Sequence, residues 1–322
     1  MTDAPFFAAL AESPAGEQCR WVTAGTTRLR LAYWQGGAQG TVFLLPGRSE
    51  SMEKYGRAVT DLVARKYAVI SIDWRGQGLS DRAMPDRMVG HVDDFAEYQE
   101  DIDAMLAEAA RARLPQPWFM LAHSMGGAIG LRALMRGLPF KAAAFSAPMW
   151  GVSIASWQRG LAYVASALAA PLGFGGRYAP TAGPQSYLCE VPFDGNVLTT
   201  DREMWGYMRA QVVAVPELGL GGPSIAWLGA ALRECSALSI LAAPATPAIC
   251  SLGTLEKVVD VPPIHLRMAA WSNGALDLYP GAEHEILMEG PSIRRRFMER
   301  ATLLFDTNQG QKTAIFRQEF SP

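Results

Sequence analysis

What this sequence has little of narrows its chemistry first. It carries no excess of positive charge: 29 Lys and Arg stand against 31 Asp and Glu, a formal net charge of -2. With no basic footprint for a phosphate backbone, nucleic acid is not expected as a partner. Cysteine is scarce, and Cys19, Cys189, Cys235 and Cys250 lie far apart with no C-x-x-C pair and no histidine beside them. That spacing gives no zinc site and reads as free thiols in a reducing, cytoplasmic compartment. The amino terminus has Asp3 and Pro5 where a secretory signal would carry basic residues, so no such signal is expected. The longest apolar segment, 161–174, is broken by Pro171 and Gly173 and falls short of the roughly 20 residues a spanning helix needs. A buried or substrate-facing helix is expected there, with contact at a membrane surface left open.

What is present is an alternation of apolar strand patterns and longer helical ones, the signature of an α/β protein with a mostly parallel sheet covered on both faces. Strands are expected at 41–45, 67–73, 118–121, 141–147, 245–252 and 275–279, and helices at 52–66, 92–113, 128–135 and 292–305. About a hundred residues between the strands ending near 147 and starting near 245 break the alternation, far beyond the usual connection of a few residues and one helix. They are expected to form an inserted, largely helical cap. Its aromatic residues, Trp150, Trp157, Tyr163, Phe174, Tyr178, Trp205, Tyr207 and Trp227, suit a subdomain core individually and an apolar acyl or alkyl pocket as a group.

The run Leu121-Ala122-His123-Ser124-Met125-Gly126-Gly127 joins a strand pattern to a helix pattern and reads as a serine nucleophile elbow. A strand that turns sharply into a helix can lift one side chain clear of the sheet only where its neighbours are small. Ala122 stands where that pattern has its first glycine, adding a methyl at the tight turn.

A serine hydroxyl needs a histidine base and an acid that orients it. Of the four histidines, His123 neighbours the nucleophile, His91 precedes a long helix, and His265 follows Pro262-Pro263 at a helix start. His284 follows the last strand in a glycine-containing loop, where the chain order serine, acid, histidine places the base. Two carboxylates compete for the acid in the loop after the strand at 245–252. Glu256 is nearer the strand end, and Asp260 could instead cap the next helix; Asp277, inside the last strand, reads as structural. The oxyanion hole calls for two backbone N–H donors, expected from Met125, after the nucleophile, and Arg48, in the loop after the strand at 41–45. The side chains of Arg48 and Glu50 could pair with each other or meet a polar head group. No metal or organic cofactor is required by this chemistry.

The segments Pro46-Gly47-Arg48-Ser49-Glu50-Ser51 with Glu53-Lys54-Tyr55, Asp73-Trp74-Arg75-Gly76-Gln77-Gly78-Leu79-Ser80, Gly90-His91-Val92, the elbow, and Ser146-Ala147-Pro148-Met149 together resemble the bacterial lysophospholipases related to monoacylglycerol lipases. The likeness runs from about residue 40 to 289 and takes in Pro216-Glu217-Leu218-Gly219-Leu220-Gly221-Gly222-Pro223. It implies the α/β-hydrolase fold; with the residue patterns, the chain is expected to divide into a hydrolase core at 1–147 and 245–305, a cap at 148–244 and, in the polar, aperiodic residues 306–322, a flexible tail. It also implies Glu256 as the acid and an ester substrate with one acyl chain on a glycerol backbone. The expected setting is cytoplasmic, with a peripheral place at the inner face of the membrane through the cap as the further option. The motifs do not set the oligomeric state.

Overall fold

The computed structural model describes residues 2–154, 156–169 and 171–310. Eight strands form one sheet in the order β1-β2-β4-β3-β5-β6-β7-β8. They are β1 (Glu17–Ala24), β2 (Thr27–Trp34), β3 (Thr41–Leu45), β4 (Ala68–Asp73), β5 (Trp118–His123), β6 (Phe140–Ser146), β7 (Ala248–Gly253) and β8 (Gly274–Tyr279). β2 runs antiparallel to both β1 and β4, and every other neighbouring pair is parallel. This is the α/β-hydrolase arrangement. Successive side chains of a strand point to opposite faces, so Phe43 and Leu45 enter one apolar core while Val42 and Leu44 enter the other. Burial on both faces explains why β3, β4, β5 and β7 read as largely apolar runs without alternation.

The expected strands are all present, with ends shifted by up to a few residues. The hairpin β1–β2 was not expected from the sequence, because β1 is only half-buried and its pattern does not alternate cleanly. Two helices start later than expected. Residues 92–95 stay outside the helix Ala96–Arg111. There Asp94 accepts from the Ala96 amide at 2.8 Å, and Glu97 reaches back to the amides of Asp93 and Asp94, a reciprocal cap that fixes the helix entry. The segment 52–66 divides into a 3₁₀ turn, Met52–Tyr55, and the helix Gly56–Ala64. The closing helix runs over Pro291–Thr307, so the expected loose tail is helical at its start; its part beyond 310 lies outside the described residues.

Between β6 and β7 the chain forms the helices Ser156–Ala169, Arg202–Ala214 and Ile225–Ile240 with a short turn, Tyr187–Glu190. The first and third pack closely, since a Cβ on Gly229 would stand 2.5 Å from Ser166, and the Tyr163 hydroxyl donates to the Leu232 carbonyl at 2.7 Å. Side chains of Asp201 and Ser224 cap the second and third helices at their amino ends.

Candidate active site

At the carboxyl end of β5 the chain turns straight into the helix Ser124–Met135. Ser124 carries the turn with φ of +50°, a left-handed conformation that costs a non-glycine residue energy and must be held by its surroundings. Those surroundings are tight. A Cβ on Gly126 would stand 2.3 Å from the Leu45 carbonyl oxygen and 2.5 Å from that of Pro46, and one on Gly127 would stand 2.5 Å from Pro148 Cβ. Only glycine permits this approach, which brings the helix start against the loop after β3. The methyl of Ala122 fits: it lies buried in β5, in ordinary contact range of Gly130.

Ser124 Oγ lies 3.0 Å from His284 Nε2, and His284 Nδ1 lies 2.7 Å from Glu256 Oε2. The other oxygen of Glu256 accepts from the amides of Val258 and Val259 at 2.6 and 3.0 Å. Burial raises the Glu256 pKa, but the imidazole partner and the two amides outweigh it and hold the carboxyl below its usual range. Nδ1 therefore carries the proton it donates to Glu256, leaving Nε2 as acceptor for the serine hydroxyl. Asp260 instead precedes the helix Val261–Ala269, with its amide on the Gly151 carbonyl. Asp277 accepts from Arg300 Nε at 2.8 Å. His91 lies 2.9 Å from the Ser224 hydroxyl, and His265 is exposed. Among the described residues, the amides of Arg48 and Met125 donate to no protein acceptor.

The side chains of Arg48 and Glu50 do not pair. Glu50 turns inward, accepting from the Gly47 amide, the Tyr55 hydroxyl and Lys54 Nζ at 2.5, 2.5 and 2.7 Å. Lys54 Nζ also donates to Glu285 at 2.5 Å. Glu285 Oε2 in turn lies 3.1 Å from His123 Nε2, whose Nδ1 meets the Ser146 carbonyl at 3.0 Å. This buried cluster was not foreseen from the sequence. Lys54 and Glu285 lie 231 residues apart, and only the position of Glu285 next to His284 hinted at it. Burial disfavours a charged imidazole, yet Glu285 and Glu50 together raise the His123 pKa. Burial likewise raises that of Glu285, but His123 and Lys54 bring it well below the carboxylate range. Glu50, His123 and Glu285 offer ligand atoms within 4.8 Å of one another, but the Lys54 ammonium already bridges both carboxylates, which does not suit a cation.

A cavity of about 990 Å³ opens beside the β3 loop, walled by Arg48, Ser49, Ile154, Leu220, Trp227 and Leu228 among others. Ser124 and His284 are not among its described lining residues, and the loop after β3 lines it through Arg48 and Ser49. Of the aromatic residues expected to form an apolar pocket, Trp227 alone lines the cavity among those described. Trp150 stacks on Trp271, and Trp205 and Tyr207 sit in the core cluster on one sheet face. Their large surfaces are used in packing, and the cavity wall instead mixes aliphatic side chains with polar ones such as Ser49, Ser166, Thr181 and Gln185. The Trp157 side chain lies outside the described residues.

The sequence matches the model of a hydrolase family described as "Serine aminopeptidase, S33" over residues 36–291. It is 34% identical over 266 residues to lysophospholipase L2 of Escherichia coli strain K12, covering 79% of this chain and 76% of that one. Over 282 residues it is 26% identical to the probable lysophospholipase L2 of Haemophilus influenzae, covering 85% and 88%. Among solved structures, a monoglyceride lipase from Saccharomyces cerevisiae superposes with a TM-score of 0.69 at 18% identity, covering 91% of this chain and 96% of that one. A monoacylglycerol lipase from Paleococcus ferrophilus gives 0.66 at 19%, covering 86% and 98%.

Proposed function

Because the chain belongs to the hydrolase family described as serine aminopeptidase, S33, we propose that its serine hydrolase chemistry is carried by Ser124, His284 and Glu256 and is directed at carboxylic esters of single-acyl-chain lipids. The observation that carries this reading is the Ser124–His284–Glu256 hydrogen-bond chain on a strained, glycine-flanked elbow. His284 Nε2 takes the proton of Ser124 as Oγ attacks the ester carbonyl carbon, and the negative charge collects on the carbonyl oxygen. The amides of Arg48 and Met125 receive that oxyanion, with the start of the helix Ser124–Met135 adding its dipole. As the tetrahedral centre collapses, the ester C–O bond breaks and His284 returns the proton to the leaving alcohol. Water, deprotonated by His284, then attacks the acyl-serine; as that second tetrahedral centre collapses, the bond to Ser124 Oγ breaks, His284 returns the proton to Oγ and the fatty acid is released. Glu256 keeps Nδ1 protonated and orients the ring throughout.

The lipid assignment draws on the relatives named lysophospholipase L2 and on the largely apolar cavity between the β3 loop and the helices that follow β6, whose volume suits an acyl chain. Residues 148–244 act in this reading as a substrate-selecting cap. Val164 and Leu168, four residues apart on the helix Ser156–Ala169, are 59% and 56% exposed, and Leu172 and Phe174, in the stretch after it, are 65% and 43% exposed. Such a ridge suits shallow contact with a lipid surface, whereas no described helix is long and apolar enough to cross a membrane. A cytoplasmic enzyme that visits the inner face of the membrane fits this ridge and the free thiols.

The test is hydrolysis of p-nitrophenyl esters of increasing acyl length, beside lysophosphatidylcholine, a monoacylglycerol and an aminoacyl p-nitroanilide, with Ser124→Ala as control. Serine-dependent rates that peak on medium or long chains, with fatty acid released from a lipid, are expected. Cleavage of short esters alone would make it a carboxylesterase for non-lipid substrates, and cleavage of the anilide alone a peptidase.

A further inference from the structure

The guanidinium of Arg48 is a cation set into the cavity wall without a counter-charge. Its Nη1 donates to Ser49 Oγ at 3.0 Å and its Nη2 to the Gly221 carbonyl at 2.7 Å, and it lies 5.1 Å over the Trp227 ring. No carboxylate pairs with it among the described residues, since Glu50, two positions on, is taken up by Lys54, Tyr55 and the Gly47 amide. Nε is shielded and has no acceptor, so three of the five guanidinium N–H donors are left without a protein acceptor. Burial pushes its pKa down to about 10, countered only in part by the Tyr98 hydroxyl. Arg48 is the one cationic residue among the described cavity walls, and the one acid there, Glu190, is exposed.

A half-buried cation in a fixed pose without an anion is costly to hold, and the Nη N–H donors left free on the planar fork suit the oxygens of a phosphate. The pose is built rather than incidental. A Cβ on Gly90 would stand 2.6 Å from Arg48 Nη2, so the side chain needs glycine there, and the Gly221 carbonyl and Trp227 face clamp it from the segment after β6. Because the Arg48 amide lies in the loop proposed to hold the oxyanion, its side chain can reach a group only a few bonds from the scissile ester.

We propose that Arg48 is a specificity-determining residue that binds the phosphodiester of a lysophospholipid head group and so selects that substrate over an uncharged monoacylglycerol. This rests on the lipid-ester reading above and names which of its two substrates the site takes. The shared chemistry is an oxyanion beside the ester, which a head-group phosphate or the carboxylate of released fatty acid could supply; the phosphate is the claim.

The experiment compares kcat/KM for lysophosphatidylcholine and for monoacylglycerol of the same acyl chain, in mixed micelles, for wild type, Arg48→Gln and Arg48→Lys. Wild type should favour the phospholipid, and Arg48→Gln should lower the ratio of the two constants at least about tenfold, the loss expected for a charge-assisted hydrogen bond. Arg48→Lys should fall between them. A ratio unchanged in Arg48→Gln, or a wild type that prefers monoacylglycerol, overturns the proposal, as does relief of fatty-acid inhibition in the variant with the ratio intact. Should Arg48→Gln not fold, competition on wild type decides: glycerophosphocholine should inhibit where glycerol does not, and equal inhibition overturns it. Ser124-dependent cleavage of p-nitrophenyl butyrate runs alongside. If that activity is present while the ratio fails, the head-group assignment alone falls; if it is absent, the hydrolase reading falls with it.

Discussion

Two histidines lie side by side in this protein, their ring centroids 4.7 Å apart, and each has a serine and a glutamate for company. His284 meets Ser124 and Glu256, while His123 meets Ser146 and Glu285. The residue types are the same and the surroundings are not. Ser124 stands on the elbow at positive φ, 8% exposed, and among the described residues the amides of Arg48 and Met125 have no protein acceptor. Ser146 ends β6 with no exposure, and the ring beside it is closed in by a second carboxylate and a lysine. A serine-histidine-glutamate set does not make a nucleophile by composition. On the proposed reading, strain that presents the hydroxyl, access, and N–H donors free to receive an oxyanion separate the reacting serine from the buried network beside it.

The sharpest way to break this contrast is to remove each hydroxyl in turn. Ser124→Ala should cut kcat by about 10⁵-fold or more with the melting curve intact, whereas Ser146→Ala should leave kcat within about threefold; comparable losses in ester hydrolysis would erase the distinction. The acids come next. Glu256→Gln should lower kcat by about 10⁴-fold, as expected when the ring loses its proper tautomer, and Asp260→Asn by less than about tenfold; steady-state rates on a p-nitrophenyl ester give both, and the reverse ranking would move the acid role to Asp260. The closed network should show in stability. Lys54→Met strands two buried carboxylates and should cost about 3–5 kcal/mol in denaturant unfolding, and a loss near zero would mean that the cluster is not held by its charges.

The smallest effect is one of pH. His123 binds its proton more tightly folded than unfolded, so its contribution is full below the ordinary imidazole pKa of about 6.5 and is lost as pH rises through the higher folded value. The stability gap between wild type and His123→Gln should therefore narrow from pH 6 to pH 9 in parallel urea titrations. A gap that widens contradicts the sign.

The open half of this contrast was largely legible in the sequence and the closed half was not. Ser124 and Glu256 each follow a strand whose apolar run stands out because both its faces are covered, His284 follows the half-exposed β8 and is placed by chain order instead, and the glycines at 126 and 127 mark a backbone approach that nothing larger fits. Local pattern and local need coincide there. The closed network joins Lys54, from a turn after β3, to Glu285, near the end of the chain, and no local pattern marks either as buried. The triad of Arg30 with Glu53 and Asp73, all three side chains fully buried, hid for the same reason: charged residues read as surface until the tertiary fold brings them together. β1 escaped notice because its half-exposed edge carries no strong periodicity.

The central claim, that Ser124 is the residue acylated by an ester substrate, is tested most directly by trapping the intermediate. Acid quench of the enzyme within milliseconds of mixing with p-nitrophenyl laurate, followed by peptide mass spectrometry, should find the lauroyl mass on the peptide bearing Ser124 and on no other. Turnover of the ester with Ser124 unmodified, or with the acyl group on a different side chain, would contradict it.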